Sequence, residues 1–578
     1  MSFTSAVDIS KVVNFEKFSV TGGTATVRGT ASFDTANFNS GDTTFANGMN
    51  LTATNGATVS AGAKISVGSG STATITGDLN HGGGLSLADD GTLVVTGNVA
   101  MKSGSTTSFG LQPATNGVVT SGTITLDSGS QTIVDVTSAT GLLHNATFVV
   151  GTGTTVSNNA GSGVTDNSFL FDFTQKVVDG DKWVLTANQA FFNCGFTSDI
   201  NQIALCNQVV SLVGSNPDAA TILSRLGTIT NTAEFLLAID SLSPGDSFGG
   251  QQLSFTFARL FMSSLQDWLD SNGGANPASL SLLEKPKQLW NHPNADWQLW
   301  SNSAFSFGFQ DAFSTANSRI NDFDSNSTVH VMGLDRNFDD GDTTDGPLRV
   351  GLAASYGYGW GEETLTTNSP KQIEQQSFGA LAYGAANHQG YKLSGKLGYA
   401  FQWSDHRRHI PILGETAKAD YGSHQFFGQA SIEPRQNYRL GEWDFSPRLS
   451  YNLQRLYREG YRETGSAANL IVGSSTTTRH EATARFTLGR NWSDIARGEG
   501  YVEYGRNFGD DAETTARLTA GAGAFKVQGI NADDEWFTLG HSFTVDFKDN
   551  AQFGVLHQST LGNNSHSHDI STWLRYSF

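Results

Sequence analysis

Residues 245 to 248 read Gly-Asp-Ser-Phe, a glycine-flanked serine of the kind that can act as a nucleophile in acyl transfer. Such a serine attacks only when a histidine base takes its proton and an acid orients that histidine. Downstream of Ser247 come only a candidate helix and a linker before a strand-rich segment begins. Pro244, Gly245 and Asp246 are also ordinary turn and helix-capping residues. The block is therefore expected to be structural, and no catalytic residue is assigned.

Other reactive side chains are scattered. His81 and His144 stand in a strand-rich first segment that holds no HExxH, no paired carboxylates in a recognisable setting and no Gly-rich phosphate loop. Asp89 with Asp90, or Asp179 with Asp181, could bind calcium weakly, but such acids usually sit in solvated turns. His406 with His409, and the trio His557, His566 and His568, are expected to be surface polar residues in loops near a rim rather than a metal site. No metal and no cofactor are expected. Cys194 and Cys206 are the only cysteines. In an oxidising compartment they would clip a short loop as a disulfide, the alternative being two buried thiols.

The elements that must position these residues form three zones. From about residue 20 to 186, short β-prone runs at 25–33, 57–79, 91–101, 122–136 and 146–156 recur between Gly, Asn, Ser and Asp turns. None can bury itself, and stacked coils of a right-handed parallel β-helix would solve this. The alternatives are a sandwich or a flexible linker. Val94, Val95, Ile124 and Val149 are expected in the buried rungs, with residues 183–189 as the last rung. From about 199 to 271 the apolar spacing turns helical. Leu253, Phe257, Leu260, Phe261, Leu265 and Leu269 mark the longest helix, and residues 272–293 read as a linker.

From 297 to 578, about twelve strand candidates follow. Leu348, Val350, Leu352, Ala354, Tyr356, Tyr358 and Trp360 alternate with Arg349, Gly351, Ala353, Ser355, Gly357 and Gly359. Likewise Trp443, Phe445, Leu449, Tyr451 and Leu453 alternate with Asp444, Ser446, Arg448, Ser450 and Asn452. An inner face carrying Asp and Arg contradicts a dry core, whereas a wet lumen inside a lipid-facing barrel suits it. Connections are expected to alternate between short turns, such as 388–390, and long polar loops, such as 338–346 and 409–422. In the final strand, Ile570, Thr572, Leu574, Tyr576 and Phe578 face out and Ser571, Trp573 and Arg575 face in. No window of about 20 apolar residues exists, so helical spans are excluded. The 65 glycines and a net charge of −19 describe a β protein that would repel nucleic acid. Residues 1–19 lack a basic stretch followed by an apolar core, so no signal peptide is read there. The first segment is expected to be N-terminally incomplete.

This order of parts resembles the classical monomeric autotransporters of Gram-negative bacteria (type V secretion). The helical stretch 236–269 takes its place in that order, and the most specific piece is the run through the barrel at 349–359, 390–403, 500–510 and the closing 573–578. The resemblance implies a mainly all-β chain: a β-helical passenger over 1–190, a helical junction over 191–272, a linker over 273–296 and a twelve-stranded antiparallel transmembrane barrel over 297–578. It further implies an outer-membrane barrel whose pore is occupied or entered by the helix carrying Leu253, Arg259 and Leu269. Ser254, Thr256, Ser263, Ser264 and Gln266 would lie against lumen glycines and serines, and Arg259 would meet an inward acid such as Asp444. Ser571, Tyr576 and Phe578 fit the barrel-terminal assembly signal, although Trp573 stands where Gly is usual. The implied partners are outer-membrane lipid, the barrel-assembly machinery, periplasmic chaperones and an unknown extracellular or host ligand. An adhesin-like passenger at the cell surface is the leading reading. Two others stay open. The block 245–248 resembles that of GDSL-type esterases, whose base and acid come far downstream as an Asp-x-x-His pair, so a hydrolase using Ser247 or a missing upstream module is one. A porin-like channel is the other.

Overall fold

A computed structural model describes the chain except residues 1–6, 9–14, 112–117, 138, 140–141, 190–193, 195–196, 213–215, 246, 274–295, 315–318, 339–347, 365–369, 435–437, 494, 510–511, 530–532, 548–550 and 577–578. Two compact units result, one of residues 1–196, 206–239 and 519–522, the other of residues 197–205, 240–518 and 523–578.

In the first unit, alternation of apolar and small polar residues builds a three-sided β-solenoid. One side stacks Met49–Ala53, Thr72–Thr76, Thr92–Val95, Val118–Thr120 and Thr147–Thr152 as parallel neighbours. A second stacks Ala57–Val59, Leu79–His81, Val99–Met101, Thr123–Leu126 and Thr155–Asn158. The third stacks Ala63–Val67, Gly84–Leu87, Thr106–Gly110, Gln131–Asp135 and Thr165–Asp166. Each coil presents its inward residues to those of the next, so Ala57, Leu79, Val99, Ile124 and Val156 form one buried column. This is how runs too short to bury themselves gain a core. Corners turn on glycine: Gly77, at φ 122°, would set a Cβ 2.1 Å from the Ala53 carbonyl oxygen.

Two expectations need correction here. Val94 and Val149 are only half-buried, while their neighbours Leu93, Val95, Phe148 and Val150 point inward with Ile124. Where two apolar residues adjoin, alternation alone does not fix the face. Lys182–Gln189 is not a coil rung. It pairs antiparallel with Phe171–Val178 and with Thr147–Thr152, closing the open end of the stack. Trp183 is the stopper, edge-on to Phe109 with ring centroids 5.0 Å apart and donating to Gln175 Oε1 at 3.0 Å.

Helices follow: α1 (Ile200–Val210), α2 (Pro217–Leu226), α3 (Thr232–Ser241) and α4 (Ser247–Gly273). Asn216 caps α2, its side chain accepting from the Asp218 and Ala219 N–H groups, and Pro217 opens the first turn. Phe235 of α3 stacks on Phe169 at 5.9 Å. A disulfide joins Cys194 to Cys206 with their Cα atoms 6.1 Å apart.

The second unit is a closed antiparallel barrel. Its strands are β1 (Asp296–Gln310), β2 (Asp322–Phe338), β3 (Leu348–Thr364), β4 (Pro370–His388), β5 (Tyr391–Ile410), β6 (Glu415–Pro434), β7 (Trp443–Arg458), β8 (Ser475–Ser493), β9 (Ala496–Asn507), β10 (Glu535–Phe547), β11 (Ala551–Gly562) and β12 (Ser565–Tyr576). They pair in sequence order, and β1 pairs with β12 from Trp300–Arg575 to Gln310–Ser565, which removes every free edge. All twelve strand candidates read from the sequence lie on these strands, and both alternating runs face as expected. Leu352, Leu397, Phe426 and Leu574 are 60 to 71% exposed on the outer wall. An apolar belt of that extent is a lipid-facing surface. No helix among the described residues is long and apolar enough to cross a membrane, so the crossing is made by strands.

The connections depart from expectation. The β2–β3 connection, whose residues 339–347 lie outside the described residues, leaves the wall at the same end as the 388–390 turn. That end, which also holds the start of β1 and the end of β12, is termed the near end. Residues 409–422 are mostly strand, because β5 and β6 pair up to Ile410–Glu415 and leave only 411–414 as a turn. Polarity marked these segments as loops, yet a strand that outruns the membrane is polar on both faces. The long excursions are instead 459–474 and 508–534 at the far end, where they build a four-stranded sheet from Tyr461–Arg462, Leu470–Val472, Glu513–Leu518 and Phe525–Gln528.

Candidate functional site

The site is the barrel lumen, and α4 lies inside it. At 27 residues the helix is about 40 Å long, enough to run the length of the wall. It starts near the far end. There Gly249 sits against Phe323, Gly250 against Tyr421 and Ile373, and the Gln375 amide reaches the Gly250 carbonyl at 3.3 Å and the Ser254 hydroxyl at 3.1 Å. Leu253, Phe257 and Phe261 recur at four-residue intervals, so they share one face. That face meets wall glycines: a Cβ on Gly359 would lie 3.2 Å from Leu253 and 2.9 Å from Phe257, and one on Gly379 3.0 Å from Phe261. Lys396 and Lys392 donate to the helix carbonyls of Met262 and Leu269 at 2.9 and 3.3 Å. Lys392, near the end of α4, complements the negative end of the helix dipole.

The opposite side of α4 is polar. Thr477 donates to Gln251 at 3.2 Å, and Arg479 donates to Gln252 at 3.1 Å while lying 3.8 Å above the Phe255 ring. Arg259 forms an ion pair with Asp569 and donates to Ser306 at 3.3 Å. Between this side and the wall lies a cavity of about 220 Å³, lined by Thr256, Ser263 and Gln266 of the helix and by Arg448, Arg485, Glu503 and Ser450 of the wall. Arg485 meets Glu503 at 2.8 Å and Arg448 meets Glu433 at 2.7 Å.

Leu253 and Leu269 are buried in the lumen. Leu253, Phe257 and Phe261 cover the wall glycines of β3 and β4, whereas Thr256, Ser263 and Gln266 line the cavity together with Ser306, Gly308, Ser325 and Ser450. Nor does Arg259 meet Asp444, which pairs with Arg497 at 3.4 Å. Ser571 faces inward and donates to Asn302 at 3.0 Å. Tyr576 ends β12, and Phe578 lies outside the described residues.

His406 and His409 do not gather. His406 points inward and meets Glu463 at 3.1 Å, whereas His409 meets Thr416. An odd spacing on a strand sends side chains to opposite faces. His557, His566 and His568 lie on strands rather than in loops, with His541 opposite His557 and successive ring centroids 5.1 to 6.2 Å apart. Among the described residues no group of three or more metal-ligating side chains converges. Asp90 accepts the Gly70 N–H, and Asp179 meets Lys182 at 2.7 Å. Ser247 is the first residue of α4. Its neighbours serve packing: Gly245 abuts Glu363 and Lys371, and Phe248 abuts Gly529. The sequence reading missed one polar centre, Arg408 with Glu463, since the partners lie in different segments and no spacing links them.

A closed antiparallel barrel with an apolar outer belt and a helix in a polar lumen has the build of an outer-membrane β-barrel. Residues 304–556 match the family described as Autotransporter beta-domain. Among solved structures, the chain is similar to the translocator domain of autotransporter NalP from Neisseria meningitidis, at 14% identity over 56% of this chain and 99% of that one, TM-score 0.39. It is also similar to the transport unit of the autotransporter AIDA-I from Escherichia coli, at 12% identity over 53% and 98%, TM-score 0.36. A third is the beta domain of the Bordetella autotransporter Brka, at 14% over 49% and 99%, TM-score 0.34. No curated protein matches the chain. The barrel is an autotransporter β-domain of the outer membrane, and a β-solenoid precedes it.

Proposed function

We propose that the barrel carries the solenoid to the cell surface, anchors it there, and that the solenoid acts as an adhesin-like module. The observation that supports this is the run of α4 from the far end of the lumen, at Gly249 and Phe323, to the near end, at Leu269 and Lys392. The chain therefore enters α4 from the far end of the lumen, opposite the start of β1. The longest excursions, 459–474 and 508–534, lie at the far end and suit the outside, whereas near-end connections run to at most nine residues, at 339–347, and suit the periplasm.

The solenoid's outward positions favour binding. Thr58, Asn80, Ala100, Thr125 and Ser157 stand in one register row, and Ser66, Ser86 and Ser108 in another. Rows of short side chains, polar apart from Ala100, on a rigid scaffold offer many weak contacts to an extracellular or host surface. Outer-membrane lipid, the assembly machinery and periplasmic chaperones are the partners expected in transit and at rest. A plugged lumen disfavours the porin reading. Protease added to intact cells should remove residues before about 240 and spare the barrel. Cleavage seen only after the outer membrane is permeabilised would overturn display. Replacing outward Thr58, Asn80 and Thr125 together should abolish adhesion without altering export, and unchanged adhesion would overturn the binding assignment.

A further inference from the structure

Eleven of the twelve wall contacts join strands that are neighbours in the chain, and the twelfth, β1 with β12, joins residues near 300 to residues near 575. Closing a loop of that length carries the largest entropy cost in the barrel. The seam ladder, Trp300–Arg575 to Gln310–Ser565, is no longer than ladders between chain neighbours such as β9 with β10 or β11 with β12, so it brings no extra pairing to offset that cost. Something besides the ladder must favour closure.

The lumen supplies it at two levels. Ser306 of β1 and Asp569 of β12 are direct register partners across the seam, and Arg259 of α4 bonds both: Nη2 donates to Asp569 Oδ1 at 3.1 Å and to Ser306 Oγ at 3.3 Å. Gln558 of β11 holds the other Asp569 oxygen at 2.5 Å and in turn accepts from Tyr501 of β9. Further along the helix, Asn302 of β1 accepts from Ser571 of β12 at 3.0 Å and donates to the Ser264 carbonyl of α4 at 3.4 Å. Asp569, Asn302 and Ser571 are all buried. Both levels therefore contain one group from each side of the seam and one from the helix.

We infer that α4 is the clasp of the barrel: Arg259 and the Ser264 carbonyl hold β1 against β12 from inside, so that lumen occupancy and wall closure are one coupled event. The packing of Phe257 and Phe261 on wall glycines is independent of this, since those glycines lie on β3 and β4. Losing the clasp should loosen the seam and leave the helix seated.

Hydrogen exchange on the full-length protein in detergent separates these effects. With Arg259→Gln, a charge-assisted bond is lost, and amides of β1 and β12 should exchange about tenfold faster or more, against less than about twofold for β5 and β6. Single-channel conductance should stay at its wild-type value. Exchanging the charges, Arg259→Asp with Asp569→Arg, should restore slow seam exchange. Ser306→Ala removes only the β1 arm and gives a milder variant should Arg259→Gln fail to assemble; it too should accelerate the seam selectively. Equal acceleration of both regions, or a seam that exchanges as in the wild type, would overturn the clasp.

Discussion

The Arg408 guanidinium donates to both oxygens of the Glu463 carboxylate, at 3.1 and 2.5 Å, and neither side chain reaches solvent. The same guanidinium donates to the backbone carbonyls of Ser241 and Ala468, each at 2.8 Å. One cation thus ties the wall, the far-end excursion 459–474 and the segment that leads into α4. Burial alone would raise the Glu463 pKa, but Arg408 and His406 override it and hold the carboxyl down at about 2, from an ordinary 4.5.

Glu463→Gln should therefore release the far-end excursion. Removing one partner of a buried pair costs about 3–5 kcal/mol. The expected outcome is rapid proteolysis within 459–474, with heat-modifiability of the barrel unchanged. Because the folded pKa is depressed, the stabilisation is fully present above pH 4.5 and is lost as pH falls from there toward 2. Limited proteolysis across that range checks the sign.

Wall glycines under α4 should admit no side chain. Gly359→Leu would push on Phe257 and Leu253, and overpacking of this kind costs about 1–3 kcal/mol. The helix should be displaced from the lumen and single-channel conductance should rise, as it should on deleting residues 251–271. Gly395→Leu is the control, since nothing lies within 4 Å of its Cβ position. A conductance unchanged by Gly359→Leu would mean that the helix tolerates the intrusion.

The two faces of the wall should differ in cost. Leu352, 67% exposed on the outer belt, should lose about 2–4 kcal/mol on replacement by Arg in mid-membrane. Ser355, the obvious inward comparison, is unsuitable because it abuts Gly379 and the Phe261 contact. Ser450 lines the cavity, so Ser450→Arg should cost far less. Equilibrium unfolding of the two variants in lipid vesicles measures the difference.

Much of this barrel is legible because two solvents write on its strands. Lipid outside and water inside force alternation, so twelve strands and their facing could be read residue by residue. What alternation does not encode is which inward residue meets which. Arg259 reaches Asp569 rather than Asp444 because the shear of the wall and the rotation of α4 decide the meeting, and neither is a local property. The far-end excursions were missed for a related reason: Leu470, Val472, Leu518 and Phe525 are buried against one another from two separate connections. In the solenoid, adjacent apolar pairs such as Val94 and Val95 left the face ambiguous until neighbouring coils selected it.

Reducing the Cys194–Cys206 bond should weaken its segment modestly. The residues are 12 apart, and a loop of that size contributes at most about 3 kcal/mol on chain-entropy grounds. Protein isolated from the envelope under non-reducing conditions should resist alkylation, and reductant should accelerate exchange in α1, which carries Cys206, more than in the barrel. Two thiols that alkylate without reductant would refute the bond.

The solenoid should carry a pH-dependent weakness at His81. This side chain fills the core column between Val59 and Met101, is wholly buried, and has Nε2 3.2 Å from the Thr106 carbonyl oxygen. Burial drives its pKa down from 6.5 to about 4, the Thr106 bond offsetting only part of that. The folded solenoid therefore keeps the ring neutral while the unfolded chain binds a proton below about 6.5. Between pH 6.5 and 4 the unfolded state holds more protons, so stability falls as pH falls, by about 3 kcal/mol in total. Asp166 acts with the opposite sign, since burial pushes it up to about 6 and the folded state then gains protons first. Comparing the wild type with His81→Leu isolates the histidine, because Asp166 is common to both. The difference between their solenoid unfolding midpoints should be flat above pH 7 and should shift in favour of His81→Leu as the medium is acidified to pH 4. A difference that stays constant over that range would mean that His81 is protonated equally in both states.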